Sequence, residues 1–231
     1  MDLLRQRFET LTTAHIADAC VRAQLPVRCQ GVHPVVAGDK TAGRVLPARH
    51  AGSVDIFLEA IEGAAAGDVL VVDNGARRDH ACVGDLIVQE AQTAGLAGVV
   101  IWGLHRDTDD VRAIGLPVYS LGALPTGPLQ PEERAAEALT SARVGEWVVD
   151  SSDAVFADDD GVIFVPMAHV EDVLALAEGI RDKERRQADL VREGQTLRDQ
   201  LGFADFLARR AADPALTFRE HLRRVGGAVE E

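Results

Sequence analysis

Lysine is nearly missing from this chain. Among 24 lysines and arginines only Lys40 and Lys183 are lysines. Neither lies beside the stretch richest in motifs, Gly84–Asp107, which argues against Schiff-base chemistry there. Cysteine is also scarce. Cys20, Cys29 and Cys82 show no C-x-x-C spacing, so neither a disulfide framework nor a thiolate zinc site is expected. Each is expected to be a small buried or half-buried residue. Positive charge is outnumbered, with 37 acidic residues giving a net charge of −13. Such a chain repels phosphate backbones, and no nucleic-acid partner is expected. No apolar run approaches the length that spans a bilayer. The N-terminal MDLLRQRFET has no signal-peptide core, so no membrane role and a cytoplasmic location are expected. No glycine-rich nucleotide loop follows the first strand, which removes support for a methyltransferase. His15, His33 and His50 are scattered without metal-ligand spacing.

What is present suits one folded domain. The chain has 231 residues, 47% of them apolar, enough for a sizeable core. Helical spacing is found at 2–9, 12–22 and 54–65, with Thr12 or Thr13 available as a cap. Asp18 in the second of these reads as a solvated carboxylate. Short strands are expected at 30–33, 42–47, 69–72, 116–120, 145–149 and 162–165, and a short helix after Asp107. Asp158-Asp159-Asp160-Gly161 lacks the alternating ligands of a calcium loop and reads as a tight turn between two strands. From Met167 the pattern becomes a long helix with a thin apolar seam of Leu190, Val191, Leu197 and Leu201, interrupted near Gly194. So polar a helix is expected to pack on a neighbouring subunit. A last amphipathic helix is expected over 217–225.

The stretch GDLIVQEAQTAGLAGVVIWGLHRD, residues 84–107, organises the rest. Leu86–Ala94 reads as a helix that Gly95 stops. Gly98–Trp102 is an apolar run that suits a strand buried on both faces. Together with the strand at 69–72 these make a βαβ unit. Gly84-Asp85 stands at the helix N-terminus, where free amides favour an anion. Arg106-Asp107 follows a strand's C-terminal end, the usual ligand side of open α/β sheets. The loop 73–83, DNGARRDHACV, is unusually polar. It reads either as a solvated connection or as a border of a substrate pocket.

Residues 86–105 separate the two pairs, giving G-D-x20-R-D. GDVLVVDNG at 67–75, GLPVYSLG at 115–122 and ADDDGVIFVP at 157–166 flank it in order. In these features, over roughly residues 10–180, the chain resembles the RraA-like family. That family includes divalent-metal-dependent pyruvate aldolases acting on 4-hydroxy-4-methyl-2-oxoglutarate and related acids, and a ribonuclease-regulating branch. The resemblance implies a single α/β domain of the layered swivelling β/β/α type over 1–180, followed by a C-terminal helical extension at 181–231. It implies a homotrimer or homohexamer with sites at subunit interfaces.

It also implies a reaction and roles. Aldol cleavage of a 4-hydroxy-2-oxo acid, and oxaloacetate decarboxylation as a side activity, both pass through the enolate of pyruvate. By resemblance, Asp107 is the protein ligand of Mg2+ or Mn2+. Arg106 meets the pyruvyl oxygens, while Gly84, Asp85 and Leu86 lie at the pyruvyl carboxylate and the proton-transfer path. Asp85 is expected to orient water or contact Arg106. One carboxylate with substrate oxygens and waters suits Mg2+, and a bidentate contact suits Arg. Some aldolases of the family complete the site with a Glu from an adjacent subunit, for which Glu184 and Glu193 are the candidates here. The alternative from another class is a non-catalytic protein-binding regulator of a ribonuclease, which needs no metal carboxylate at position 107.

Overall fold

A computed structural model describes residues 2–225. In chain order the first elements are α1 (Asp2–Phe8), α2 (Thr13–Arg22), β1 (Arg28–Gln30), β2 (His33–Pro34), β3 (Thr41–Arg49), α3 (Asp55–Glu62) and β4 (Val69–Asp73). Then follow β5 (Ala81–Val83), α4 (Asp85–Thr93), β6 (Gly98–Trp102), β7 (Leu104–His105), α5 (Thr108–Ile114) and β8 (Val118–Ser120). The last part holds β9 (Ala142–Val144), β10 (Trp147–Val149), β11 (Asp153–Asp158), β12 (Gly161–Pro166), α6 (Val170–Arg192), α7 (Leu197–Gln200), α8 (Phe203–Ala212) and α9 (Phe218–Val225).

Eight strands form one sheet in the order β1-β12-β11-β3-β4-β6-β8-β2. The four central strands β3, β4, β6 and β8 run parallel, because α3, α4 and α5 carry the chain back between them. The outer strands are antiparallel. Two small two-stranded sheets, β9–β10 and β5–β7, complete the strand set.

Side-chain alternation explains the layers. Leu70, Val72, Val99, Ile101 and Val118 pack against α3, α4 and α5. Ala154, Phe156, Ile163 and Val165 pack against α1, α2 and the first half of α6. The opposite faces of these same strands supply Val69, Val71, Val100, Val155, Val162 and Phe164 to a third core, which contains no helix residue. The sheet is curled, with β against β inside and helices outside in two groups. This is the layered β/β/α arrangement that the resemblance implies. Burying each such Val, Ile or Phe stabilises the fold by about 1.5–3 kcal/mol.

Buried carboxylates finish the strand ends. Asp153 accepts two hydrogen bonds from Arg28, at 2.6 and 3.0 Å. Asp158 accepts from the Thr13 amide at 2.8 Å and its hydroxyl at 2.7 Å, tying the start of α2 to the sheet. The expected turn joins β11 to β12, with Asp158 opposite Gly161. Gly161 has φ +128°, and a Cβ there would lie 2.6 Å from the Gln30 carbonyl oxygen. Thr12 caps α2, and Asp18 is exposed as expected.

Several elements differ from expectation. The strand expected over 30–33 is two strands on opposite sheet edges, β1 and β2. The polar loop 73–83 ends in β5, β9 was not expected, and β11 was expected only as the unbounded strand before the 158–161 turn. Cys20 and Cys82 are buried, but Cys29 is exposed on the edge strand β1, against expectation. The long helix ends as expected near Gly194, which has φ +99°. Beyond Ile180 its apolar residues Leu190 and Val191 are 39% and 47% exposed. The terminal helices close on their own cluster of Phe203, Phe206 and Phe218, with His221 Nε2 2.7 Å from the Leu201 carbonyl oxygen. The end of the expected extension, 226–231, lies outside the described residues. Among the described residues no helix is long and apolar enough to cross a membrane.

Candidate active site

The parallel strands end together. Arg49 of β3 pairs with Asp73 of β4, and Asp73 with Trp102 of β6. The connections leaving these ends build the site. β5 and β7 pair just beyond the main sheet. They bring Gly84, which follows β5, against Arg106, which follows β7. The Arg106 amide donates to the Val83 carbonyl at 2.9 Å.

Gly84 is the N-cap of α4 and no side chain caps that end, so its first amides are free to meet an anion. The contact with the 106–107 turn leaves no room for a side chain at Gly84 unless Arg106 and Asp107 shift. A Cβ on Gly84 would lie 2.4 Å from Asp107 Oδ2 and 3.2 Å from Arg106 Nε. Asp107 itself holds a left-handed backbone, φ 58° and ψ 43°, at the start of α5. That conformation turns its carboxylate back toward Arg106, whose Nε is 3.2 Å from Oδ2. Both side chains are partly exposed, at 47% and 37%, so the pair contributes only about 0–1 kcal/mol to stability. Its geometry therefore answers to something other than stability.

The structure thus brings together all five residues singled out from the sequence. Gly84, Asp85, Leu86 and Arg106 line a cleft of about 340 Å³, and Asp107 stands beside Gly84 and Arg106. Arg106 pairs with Asp107 rather than with Asp85. The Leu86 side chain is 78% exposed, leaving its amide as the group at the helix end. Glu184 does not join them within this chain, being 3.0 Å from His15 Nε2. Glu193 lies at the exposed C-cap of α6.

Sequence reasoning missed the cleft's other wall. His50, Gly52, Ser53 and Val54 follow β3, and Gly127 and Pro128 come from the long surface segment after β8. His50 is buried and stacks on Phe57 with ring centres 5.4 Å apart. Its Nδ1 lies 2.9 Å from Asn74 Oδ1. An amide oxygen only accepts, so Nδ1 carries the proton and Nε2 is the lone-pair nitrogen. The His80 ring centre is 5.9 Å from that of His50. His50 Nε2, Asn74 Nδ2 and His80 Nε2 are buried and have no hydrogen-bond partner among the described residues. In sequence the only signal was a histidine just past a buried strand.

The polar loop 73–83 divides between the two readings. Asp73 accepts from Arg49, from the Gly75 amide and from the Arg143 amide, at 2.9–3.1 Å, and Arg77 pairs with Asp79 and Glu132. Those are structural contacts. Asn74 and His80, in contrast, back the cleft wall. Cys82 also lines the cleft, and burial pushes its thiol well above the ordinary range, so it presents no thiolate.

His105 is the third buried histidine near the site, after His50 and His80. Its Nδ1 is 2.7 Å from Ser120 Oγ and its Nε2 3.1 Å from Thr108 Oγ1, bracing the turn that carries Arg106 and Asp107. Burial lowers the pKa of His50 and of His105 below the ordinary 6.5. A lowered folded-state pKa means that the unfolded chain binds the proton more readily. The stabilising effect is therefore present above about pH 6.5 and lost as pH falls through the lower folded-state values. Urea midpoints measured down a pH series should fall below this point, and less steeply for His105→Gln. A midpoint that held or rose there would refute the sign.

The donor set fits a hard divalent cation. Asp107 is a lone carboxylate, half open to solvent. Among the described residues no group of three or more His, Cys, Asp or Glu could hold a metal. Such a position suits Mg2+, which keeps several waters, and does not suit Zn2+, which takes three or four protein ligands.

The pattern of the RraA-like family, Aldolase/RraA, matches residues 13–164. The chain belongs to this family. It is similar to Protein DlpA of Legionella pneumophila, with 26% identity over 85% of this chain and 33% of DlpA. It is also 34% identical to a protein of Alcanivorax borkumensis provisionally named 4-hydroxy-4-methyl-2-oxoglutarate aldolase, over 45% of this chain and 64% of that one. The chain thus spans a third of the first relative and just under two thirds of the second. Among solved structures it resembles Streptomyces coelicolor RraAS2, described as an unusual member of the RNase ES inhibitor RraA protein family. The TM-score is 0.69, with 25% identity, covering 80% of this chain and 95% of that one.

Proposed function

We propose that this protein is a divalent-metal-dependent lyase that releases pyruvate from a 4-hydroxy-2-oxo acid, with oxaloacetate decarboxylation as a side activity. The observation that carries this reading is the absence of a side chain at Gly84. It lets Asp107 and Arg106 sit directly against the open N-terminus of α4. Asp107 would hold Mg2+ or Mn2+, which supplies Lewis-acid stabilisation of charge on the enolate oxygen. Arg106 offers paired donors to the pyruvyl oxygens. The amides of Asp85 and Leu86 receive the carboxylate at the helix end. The Asp85 side chain, on the same cleft, orients water for proton transfer at C3. Assembly as a trimer or a dimer of trimers belongs to this proposal, with the exposed apolar residues of α6 supporting a subunit contact.

Likeness to RraAS2 favours a second reading, a non-catalytic regulator that binds a ribonuclease. One assay separates the two. Purified protein is given oxaloacetate and a panel of 4-hydroxy-2-oxo acids, including 4-hydroxy-4-methyl-2-oxoglutarate, with Mg2+, with Mn2+ and with chelator. Pyruvate that appears with metal and stops with chelator is the expected result. No pyruvate from any of these acids by folded protein with metal would sink the lyase reading, and capture of a ribonuclease would then support the second.

A further inference from the structure

The retro-aldol step needs a base that the pyruvyl end of the site does not supply. Arg106 is a cation, and Asp85 and Asp107 are assigned to water and metal. The 4-hydroxyl lies beyond C3 in the substrate, so its base must come from cleft lining that 84–107 does not supply, residues 50–54 among it. His50 is the one imidazole on the cleft lining. The register of β3 on β4 sets it at the C-terminal edge of the parallel strands, and its amide donates to the Asp73 carbonyl at 2.9 Å. Asn74 fixes its tautomer from the next strand, the arrangement that holds a catalytic imidazole in one orientation. Its Nε2 is buried and has no hydrogen-bond partner among the described residues. An unpaired buried polar atom costs about 1–3 kcal/mol, so a group retained in that state answers to a ligand.

We propose that His50 is the base that takes the C4 hydroxyl proton in carbon–carbon cleavage. This rests on the lyase reading of the cleft. The Nε2 lone pair accepts the proton, and the O–H electron pair becomes the new C4 carbonyl bond. The C3–C4 bond breaks, its pair becomes the second C2–C3 bond of the pyruvate enolate, and the C2 carbonyl π pair moves onto the C2 oxygen, to return when C3 is protonated. The carbonyl fragment leaves, C3 takes a proton from water, and His50 returns its proton to water. Nothing is oxidised or reduced. Burial keeps the imidazole neutral, ready to accept, near neutral pH.

Oxaloacetate decarboxylation passes through the same enolate but has no hydroxyl proton to remove. The two reactions therefore respond differently to loss of His50. The unsubstituted protein, His50→Gln and His50→Asn are assayed with Mg2+ for pyruvate release from 4-hydroxy-4-methyl-2-oxoglutarate and from oxaloacetate. The readout is the ratio of the two kcat/KM values. Partial misfolding of a variant lowers both rates together and leaves that ratio intact. The ratio is expected to fall by about 10²–10⁴-fold, the usual contribution of a general base. An unchanged ratio in both variants would show that His50 serves only to shape the wall. A wild-type protein that decarboxylates oxaloacetate but cleaves no 4-hydroxy acid would overturn the role of His50 and leave the metal site standing. Inertness toward both substrates would remove the lyase reading, and this inference with it.

Discussion

Asp107→Asn is expected to lower metal-dependent pyruvate release by at least about 10²-fold, the scale seen when one electrostatic stabiliser of a transition-state charge is removed. The substitution is chosen for the backbone. Asp107 has φ 58°, and asparagine tolerates that left-handed conformation as aspartate does. Asparagine also keeps the size of the side chain and removes only the charge that a hard cation requires. Alanine would add backbone strain of order 1–3 kcal/mol and confuse the two effects. The fold should scarcely register the change. The Arg106 pair is partly exposed, so its loss should cost no more than about 1 kcal/mol. Activity and Mg2+ affinity, read against the unfolding midpoint, test this directly. Full activity in Asp107→Asn would mean that the metal is held elsewhere or is not used.

Gly84→Ala is expected to do comparable damage by displacement alone. The Gly84 backbone is extended, with φ −127° and ψ −170°, which any residue adopts. Glycine is needed here for space. The added methyl would meet Asp107 Oδ2 at 2.4 Å, Arg106 Nε at 3.2 Å and Arg106 Cγ at 3.3 Å. Those are movable side-chain ends, so the protein should fold, with a stability change within about 1 kcal/mol. The reacting groups, however, must shift by something like an ångström, and displacements of that size cost about 10²-fold in rate. A crystal structure of the variant would show the 106–107 turn moved away from the start of α4. A variant that kept both its rate and the wild-type turn would show that the close approach is incidental.

The sequence was most readable where one segment decides its own structure. The valines and isoleucine of 98–102 suit a strand buried on both faces, and Asp-Asp-Gly after an apolar run favours a hairpin turn over a calcium loop, as found. The pairing of Gly84-Asp85 with Arg106-Asp107 was readable through the G-D-x20-R-D spacing shared with the RraA-like family, a signal that hydrophobic periodicity alone does not carry. Elements whose ends are disguised were harder. β11 begins and ends with aspartate, and both carboxylates are buried because Arg28 and the Thr13 amide meet them from distant parts of the chain. β5 has three residues and follows a run of charges, so its apolar pattern is too short to stand out. His50 was missed for a different reason. Its partners Asn74 and His80 reach it through parallel pairing of β3 with β4, and that register is fixed by packing across a helical crossover. Cys29 was misjudged because burial habits of cysteine say nothing about which strand lies at a sheet edge.

The division of the cleft between two sources has an evolutionary consequence. The groups assigned to the metal and the pyruvyl end come from one continuous segment, 84–107, and the proposed base, His50, from the wall facing them. The opposite wall comes from two separate connections, 50–54 and 127–128. Drift at 51–54 and 127–128 can alter what is admitted while His50 and the segment 84–107 are inherited intact. Conversely, one substitution at Gly84 or Asp107 can silence the chemistry and leave three cores, and every surface away from the cleft, unchanged for other uses. Such a scaffold readily gives rise to lineages that share an architecture and differ in whether they catalyse anything at all.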